Sequence, residues 1–188
     1  MSDYLEEMAG LLSRTPRPAI ASIADRLWQA YCADAQIFAC GNGGSSATAS
    51  HFIEDLSKGV DLPPGARRYR AISLVDSVPI LTAYANDLSY EHVFAEPLRN
   101  LVRPGDVLIG ISGSGCSRNV LRAMEAARAA GATTIALTGR DGGEMAPLAD
   151  LGLIVPAESM QQIEDAHLVV AHAIYLDLKA RAEASPRF

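Results

Sequence analysis

Five short apolar runs, separated by helix-like stretches, constrain this chain more than any other feature. They are Ala35–Cys40, Ala71–Val75, Val107–Ile111, Thr133–Thr138 and Gly152–Val155. Each has strand length and none alternates strictly, which is the pattern of strands covered on both faces. Between the third and fourth runs, Ser117–Ala130 carries Val120, Leu121, Met124 and Ala127 at helical spacing, and Gly131 follows as a C-cap. Residues 45–58 and 91–101 also read as helices. Ser159 followed by Gln162 has capping-box form and opens a long helix to about Arg181. Strands alternating with helices predict an α/β fold, a doubly wound, five-stranded parallel sheet flanked by helices. A length of 188 residues suits a single domain. Within it, residues 1–33 form a helical segment, 34–182 the α/β core and 183–188 a frayed tail, with Asp61–Arg68 as a loop.

Two of the strands run into unusual loops. The first continues into Gly41-Asn42-Gly43-Gly44-Ser45-Ser46, the third into Ser112-Gly113-Ser114-Gly115-Cys116-Ser117, and a helix follows each. Glycines let the backbone turn sharply and bring its N–H groups close to an anion. The helix N-terminus behind each loop adds aligned amides and a favourable dipole. Either loop alone is equally well a tight turn with serine as N-cap. Two on one carboxyl edge of a parallel sheet, where such sheets bind ligands, point instead to a phosphate. Neither loop matches G-x-x-x-x-G-K-[ST], and Gly41-x-Gly43-Gly44 is not the full dinucleotide fingerprint.

Composition narrows the partners. A formal net charge of −6 and a pI of about 5.2 argue against nucleic acid. No apolar run is long enough to span a bilayer, and MSDYLEEMAG is not a signal peptide, so the expected location is the cytoplasm. The cysteines, Cys32, Cys40 and Cys116, are odd in number and widely spaced, against a disulfide framework or a zinc ribbon. Cys116, next to a helix N-terminus in the second loop, is the expected reactive thiol. Trp28 reads as core or interface, Arg67 and Arg68 as a solvated face, and Asp76 as a helix cap or pocket residue. Lys58, one turn beyond Asp55, reads equally as a substrate contact or a surface charge.

Five segments in order, GNGGSSATASHF (41–52), LTAYAND (81–87), GDVLIGISGSGCSRNV (105–120), ALTGRDGG (136–143) and IEDAHLVVAH (163–172), carry a family likeness. The chain resembles SIS-domain (sugar isomerase) proteins and, within them, the sedoheptulose 7-phosphate isomerase (phosphoheptose isomerase) group. The resemblance implies interconversion of a ketose and an aldose phosphate, in cytosolic homotetramers with active sites between subunits. It implies that Ser45, Ser112, Ser114 and Ser117 hold the substrate phosphate, with Asn42, Gly43, Asp87 and Gly113 at substrate-binding positions. A non-catalytic SIS module that senses a sugar phosphate or binds a partner protein is the alternative. The second loop of the family usually reads S-T-S-G-N-S, so Gly113 and Cys116 depart from it. The usual H-x-x-x-E is His51…Asp55, and the usual Gln of the last helix is Glu164.

His51 and Asp55 are spaced i, i+4, and Glu164, Leu168 and His172 form a second such row. Two histidines and two carboxylates suit a tetrahedral zinc site. The matching family positions surround zinc, which implies one Zn2+, or another divalent metal, per subunit on His51, Asp55, Glu164 and His172. The same resemblance makes Asp55 and His172 the acid/base candidates for proton transfer through an enediol. His167 lies off the Glu164–His172 row and reads as structural. The helical N-terminal segment, with Leu5, Met8 and Leu12 on one stripe, predicts a homo-oligomer, and the resemblance implies that it is a tetramer.

Overall fold

The computed structural model describes residues 3–58 and 67–185. In chain order the elements are α1 (Tyr4–Arg14), α2 (Arg17–Cys32), β1 (Gln36–Gly41), α3 (Gly44–Lys58), β2 (Arg70–Ser73) and α4 (Val78–Asp87). They continue with α5 (Ala95–Arg99), β3 (Val107–Ser112), α6 (Arg118–Ala129), β4 (Thr133–Gly139), β5 (Leu151–Val155) and α7 (Met160–Ala184). Every strand pair is parallel, in the order β2-β1-β3-β4-β5.

Strand alternation sends successive side chains to opposite faces. Ile37, Ala39, Ile109, Ile111, Ile135 and Leu137 point to one face and pack beneath α2, α3 and α7. Phe38, Cys40, Leu108 and Ala136 point to the other and meet Val120, Met124 and Ala127 of α6. This two-sided burial is why β1, β3 and β4 read as continuous apolar runs. The edge strands differ from that expectation. In β5, Leu153 and Val155 are buried while Gly152 and Ile154 are exposed, and all of β2 is exposed or half-buried. At the amino ends of the strands, buried Asp106 accepts the Gln36 and Arg103 amides at 2.8 and 2.7 Å.

Other departures have local causes. The N-terminal helices are two, divided at Thr15, which Pro16 biases away from helix, while Pro18 sits in the first turn of α2. The stripe on α1 is already covered: Met8 is buried and Leu12 packs on the core, leaving only Leu5 fully exposed. The helix over 91–101 shrinks to Ala95–Arg99 behind a 3-10 turn at Tyr90–His92. The Ser159–Gln162 capping box does not form among the described residues. Ser159 Oγ donates to Gln161, and Gln162 Nε2 instead reaches Glu7 of α1 at 2.7 Å. Arg67 is not a solvated charge. It lies over the Tyr31 ring, donates to the carbonyls of Tyr31 and Cys32, and pairs with Asp34. Asp76 caps nothing and accepts from Ser50 on α3 at 2.8 Å. Trp28 is half-buried against the core, stacked on Tyr31. Residues 61–66 of the expected loop, and 186–188 of the expected tail, lie outside the described residues.

His167, on the inner face of α7, is fully buried with one ring nitrogen, Nε2, 3.0 Å from the Thr138 carbonyl, and burial pushes its pKa from 6.5 down to about 4. The unfolded chain therefore takes up this proton first, and stability falls as pH drops from 6.5 towards 4. The loss over that window is about 3 kcal/mol at 1.36 kcal/mol per pK unit. Urea denaturation at several pH values should show this acid slope in the wild type, and His167→Gln should flatten it. Equal slopes in the two proteins would contradict the assignment.

Candidate active site

The strand order reverses at β1 and β3, and the two serine-rich loops leave the sheet there side by side. The last β1–β3 register pair is Gly41 with Ile111. A Cβ on Gly41 would come within 2.9 Å of the Ile111 carbonyl and 2.8 Å of the Ser45 backbone, so only glycine lets the loops approach this closely. Gly115 has φ +66, and a side chain there would strike the Gly142 carbonyl.

Together the loops enclose a cavity of about 240 Å³ lined by Asn42, Gly43, Gly44 and Ser45 from the first and by Ser112, Gly113, Ser114 and Ser117 from the second. Met160 and Glu164 of α7 close one side. No Lys or Arg lines it among the described residues. Ser117 stands at the N-cap of α6 yet makes no capping bond; its hydroxyl lies 2.9 Å from Ser112 Oγ, which is 3.4 Å from Ser114 Oγ. Three hydroxyls converge where two long helices begin, an arrangement that suits a phosphate held by hydroxyls and helix dipoles rather than by cations. A larger groove lined by Arg118, Arg122 and Glu144 has both arginines engaged in exposed ion pairs, Arg118 with Glu144 and Arg122 with Glu91.

The departures in the second loop have a packing partner. A side chain at Gly113 would collide with Met160, so glycine there accompanies a methionine at the start of α7. A side chain at Gly44 would likewise collide with the Glu164 carboxylate. Glu164 thus stands at the serine-loop cavity, apart from the histidines.

Three of the four expected metal positions do gather. The ligand atoms of His51, Asp55 and His172 lie within 4.8 Å of one another. His51 Nε2 is 3.3 Å from His172 Nε2, and Asp55 Oδ2 is 3.7 and 3.8 Å from the two imidazoles. Ligands at about 2.0–2.1 Å on a tetrahedral ion stand about 3.3 Å apart, so the set fits a zinc ion with a slightly wide carboxylate edge. Both imidazoles are half-exposed while Asp55 is buried. Asp55 divides its oxygens: Oδ1 accepts from Lys58 at 2.7 Å, and Oδ2 faces the histidines. This bond raises the Lys58 pKa. Lys58 therefore holds a site residue in place, between its two expected roles. Asp87 does not line the cavity; it ends α4, exposed, accepting from Asn86 at 2.9 Å.

Residues that sequence reasoning passed over also meet here. Asn119 forms a reciprocal amide pair with Asn42, and the Tyr90 hydroxyl donates to the same Asn42 oxygen. Met160 is a further one. An asparagine in the first turn after a serine-rich loop is a weak signal, and Tyr90 is 48 residues from Asn42 in sequence.

The fold and the paired serine loops define a sugar-phosphate-binding α/β domain of the SIS type, and the SIS domain family profile matches residues 3–139. The chain is 45% identical over 159 residues to the phosphoheptose isomerase of Mycobacterium tuberculosis, covering 83% of this chain and 79% of that one. It is 45% identical over 139 residues to that of Helicobacter pylori, covering 74% and 71%. The structure of the Neisseria gonorrhoeae phosphoheptose isomerase superposes with a TM-score of 0.87 at 34% identity, over 94% of this chain and 95% of the other. The chain belongs to the phosphoheptose isomerase family.

Two measurements follow from the site. Ser112→Ala and Ser117→Ala should each weaken binding of inorganic phosphate by about ten-fold, the loss of one hydrogen bond to a charged group at roughly 1.5 kcal/mol. His172→Ala should leave it unchanged. Calorimetric titration checks this, and equal effects at all three positions would contradict the division of the site. Cys116 is exposed, whereas Cys40 is buried with its thiol pushed up to about 12. Iodoacetamide followed by mass spectrometry should label Cys116, spare Cys40, and run slower with saturating phosphate.

Proposed function

We propose that this enzyme interconverts sedoheptulose 7-phosphate and a heptose 7-phosphate by proton transfer between C1 and C2. The observation that carries the reading is the distance built into two helices. From Gly44 to His51 along α3 is about 10 Å, and from Glu164 to His172 along α7 about 12 Å, at 1.5 Å per residue. An extended seven-carbon chain carries its C1–C2 bond roughly 9–10 Å from the phosphorus, at about 1.25 Å advance per bond. A phosphate between the serine loops therefore brings the reacting carbons to His51, Asp55 and His172. A five-carbon chain reaches only roughly 7 Å on the same count.

The residues then divide the work. Ser45, Ser112, Ser114 and Ser117 hold the phosphate. His172, half-exposed at the far end of the span, moves the proton between the carbons. Asp55, with one oxygen already bonded to Lys58, orients the two imidazoles and would share with them the binding of a divalent ion. Such an ion, when bound, supplies Lewis-acid stabilisation of negative charge on the enediol oxygens. Glu164, against Gly44 in the wall of the serine-loop cavity, accepts hydrogen bonds from the sugar hydroxyls nearest the phosphate.

We also assign a homotetramer. Helix α4 has no buried residue, and Val78 and Ile80 on it are exposed, as is Leu88 just past its end. On α7 the exposed Val169 and Leu176 flank His172. Apolar exposure around a catalytic residue supports a subunit interface that shields the site, with Asp87 at the end of α4 entering a neighbour's pocket. Light scattering should return about four times 19.9 kDa, and a monomer mass at micromolar concentration would contradict it.

The activity is tested by proton NMR of sedoheptulose 7-phosphate in D2O. Deuterium should enter the carbon next to the carbonyl, and an aldose signal should appear. His172→Ala should lower kcat by roughly two decades or more. Prolonged chelation should release about one equivalent of divalent ion and reduce turnover. Tight binding with no exchange would sink the isomerase reading and favour a sugar-phosphate sensor.

A further inference from the structure

Behind the phosphate loops lies a polar clasp that the proton transfer does not touch. Asn42, in the first loop, and Asn119, in the first turn of α6 just past the second, face each other as a reciprocal amide pair. Asn42 Nδ2 donates to Asn119 Oδ1 at 2.8 Å, and Asn119 Nδ2 donates to Asn42 Oδ1 at 2.8 Å. Asn119 is 3% exposed, and its Oδ1 also accepts the Val120 amide at 3.0 Å. Asn42 Oδ1 takes a second bond from the Tyr90 hydroxyl, also at 2.8 Å. The turn bearing Tyr90 is itself tied to α6 by Glu91 and Arg122, 2.9 Å apart.

We propose that Asn119 is a positioning residue for phosphate: through the Asn42 amide it holds the first loop in register with the second. The inference rests on the reading of these loops as one phosphate site. Its physical basis is where the sheet stops. The β1–β3 ladder ends at Gly41 and Ile111, and the two backbones then leave for α3 on one face and α6 on the other. Asn42 is the next residue after that ladder, so the amide pair is the first lateral link beyond it. Two antiparallel N–H···O bonds between planar groups fix both separation and orientation, and burial strengthens them. With the link in place, the N–H groups of the first loop and the hydroxyls of the second already converge before the ligand arrives. Without it, the ligand must order the first loop, which costs affinity rather than chemical rate. Tyr90, 60% exposed, completes the acceptor capacity of Asn42 and keeps its amide from turning over.

The test uses the full-length protein, inorganic phosphate as the probe, and steady-state kinetics beside it. Asn119→Asp keeps an acceptor for the Val120 amide, and so protects the start of α6, but loses the donor to Asn42. It and Asn119→Ala should weaken phosphate binding by about ten-fold and raise KM by a similar factor, with kcat within about two-fold. Tyr90→Phe should have an effect of about three-fold in the same direction. The double variant Asn42→Ala/Asn119→Ala should bind no worse than Asn42→Ala, because Asn119 acts through Asn42. Unchanged phosphate affinity in folded Asn119→Asp overturns the proposal, as does a fall in kcat at constant KM, or additive losses in the double variant. A wild type that binds no inorganic phosphate overturns the phosphate reading of the loops and this proposal with it. A wild type that binds it, with Asn119→Asp binding equally well, overturns the proposal alone.

Discussion

The parallel pairing of β1 with β3 is the constraint on which the rest of this molecule depends. From those neighbouring strands the chain departs to opposite faces, into α3 on one side and α6 on the other. The divergence opens a crevice at the carboxyl edge, and the two helix N-termini aim their dipoles into it. Glycines at 41 and 115 permit the close backbone approach, and three serine hydroxyls fill the space between. The proposed phosphate site is thus built from strand order and small residues, with no basic side chain in its lining among the described residues and on a chain whose net charge is negative.

The second organising element is α7, a helix of 25 residues that runs from the serine-loop cavity to the histidine cluster. Its first turns, through Met160, Ile163 and Glu164, press on Gly113, Gly139 and Gly44, so they form a wall of the phosphate cavity. Two turns further on it carries His172 to His51 and Asp55. Its inner face, with Ala166, His167, Val170 and Ile174, is buried in the core, so the separation of the two ends is as rigid as the fold. Glu164 and His172 share one helix row but serve different ends of it.

Much of this was legible in the residues. The five apolar runs locate all five strands: burial on both faces makes β1, β3 and β4 continuously apolar, and the edge strands β2 and β5 remain apolar enough to be found although only partly covered. The loops at 41–46 and 112–117 announce themselves through glycine and serine between a strand and a helix. What was not legible depends on tertiary packing. Helix α4 has no buried residue, so no core periodicity marks it. Arg67 looks like a surface charge until Tyr31 and the end of α2 are placed against it. Gln162 satisfies a capping pattern locally but finds Glu7 of a distant helix. Spacing alone could put Glu164 with the histidines, and only the close approach of α7 to Gly44 shows where its carboxylate stands. The Asn42–Asn119 pair joins residues 77 apart, beyond the reach of any local rule.

The proposed activity requires one substrate pose, phosphate between the serine loops and the reacting carbons at the histidines. A crystal structure of the His172→Ala protein with sedoheptulose 7-phosphate tests it most directly. Phosphorus density is expected within hydrogen-bonding reach of the Ser112, Ser114 and Ser117 hydroxyls, with the extended chain running along α3 and α7 and C1 beside His51. Phosphate bound instead at the groove lined by Arg118 and Arg122, or a sugar chain leading away from His51, would contradict it.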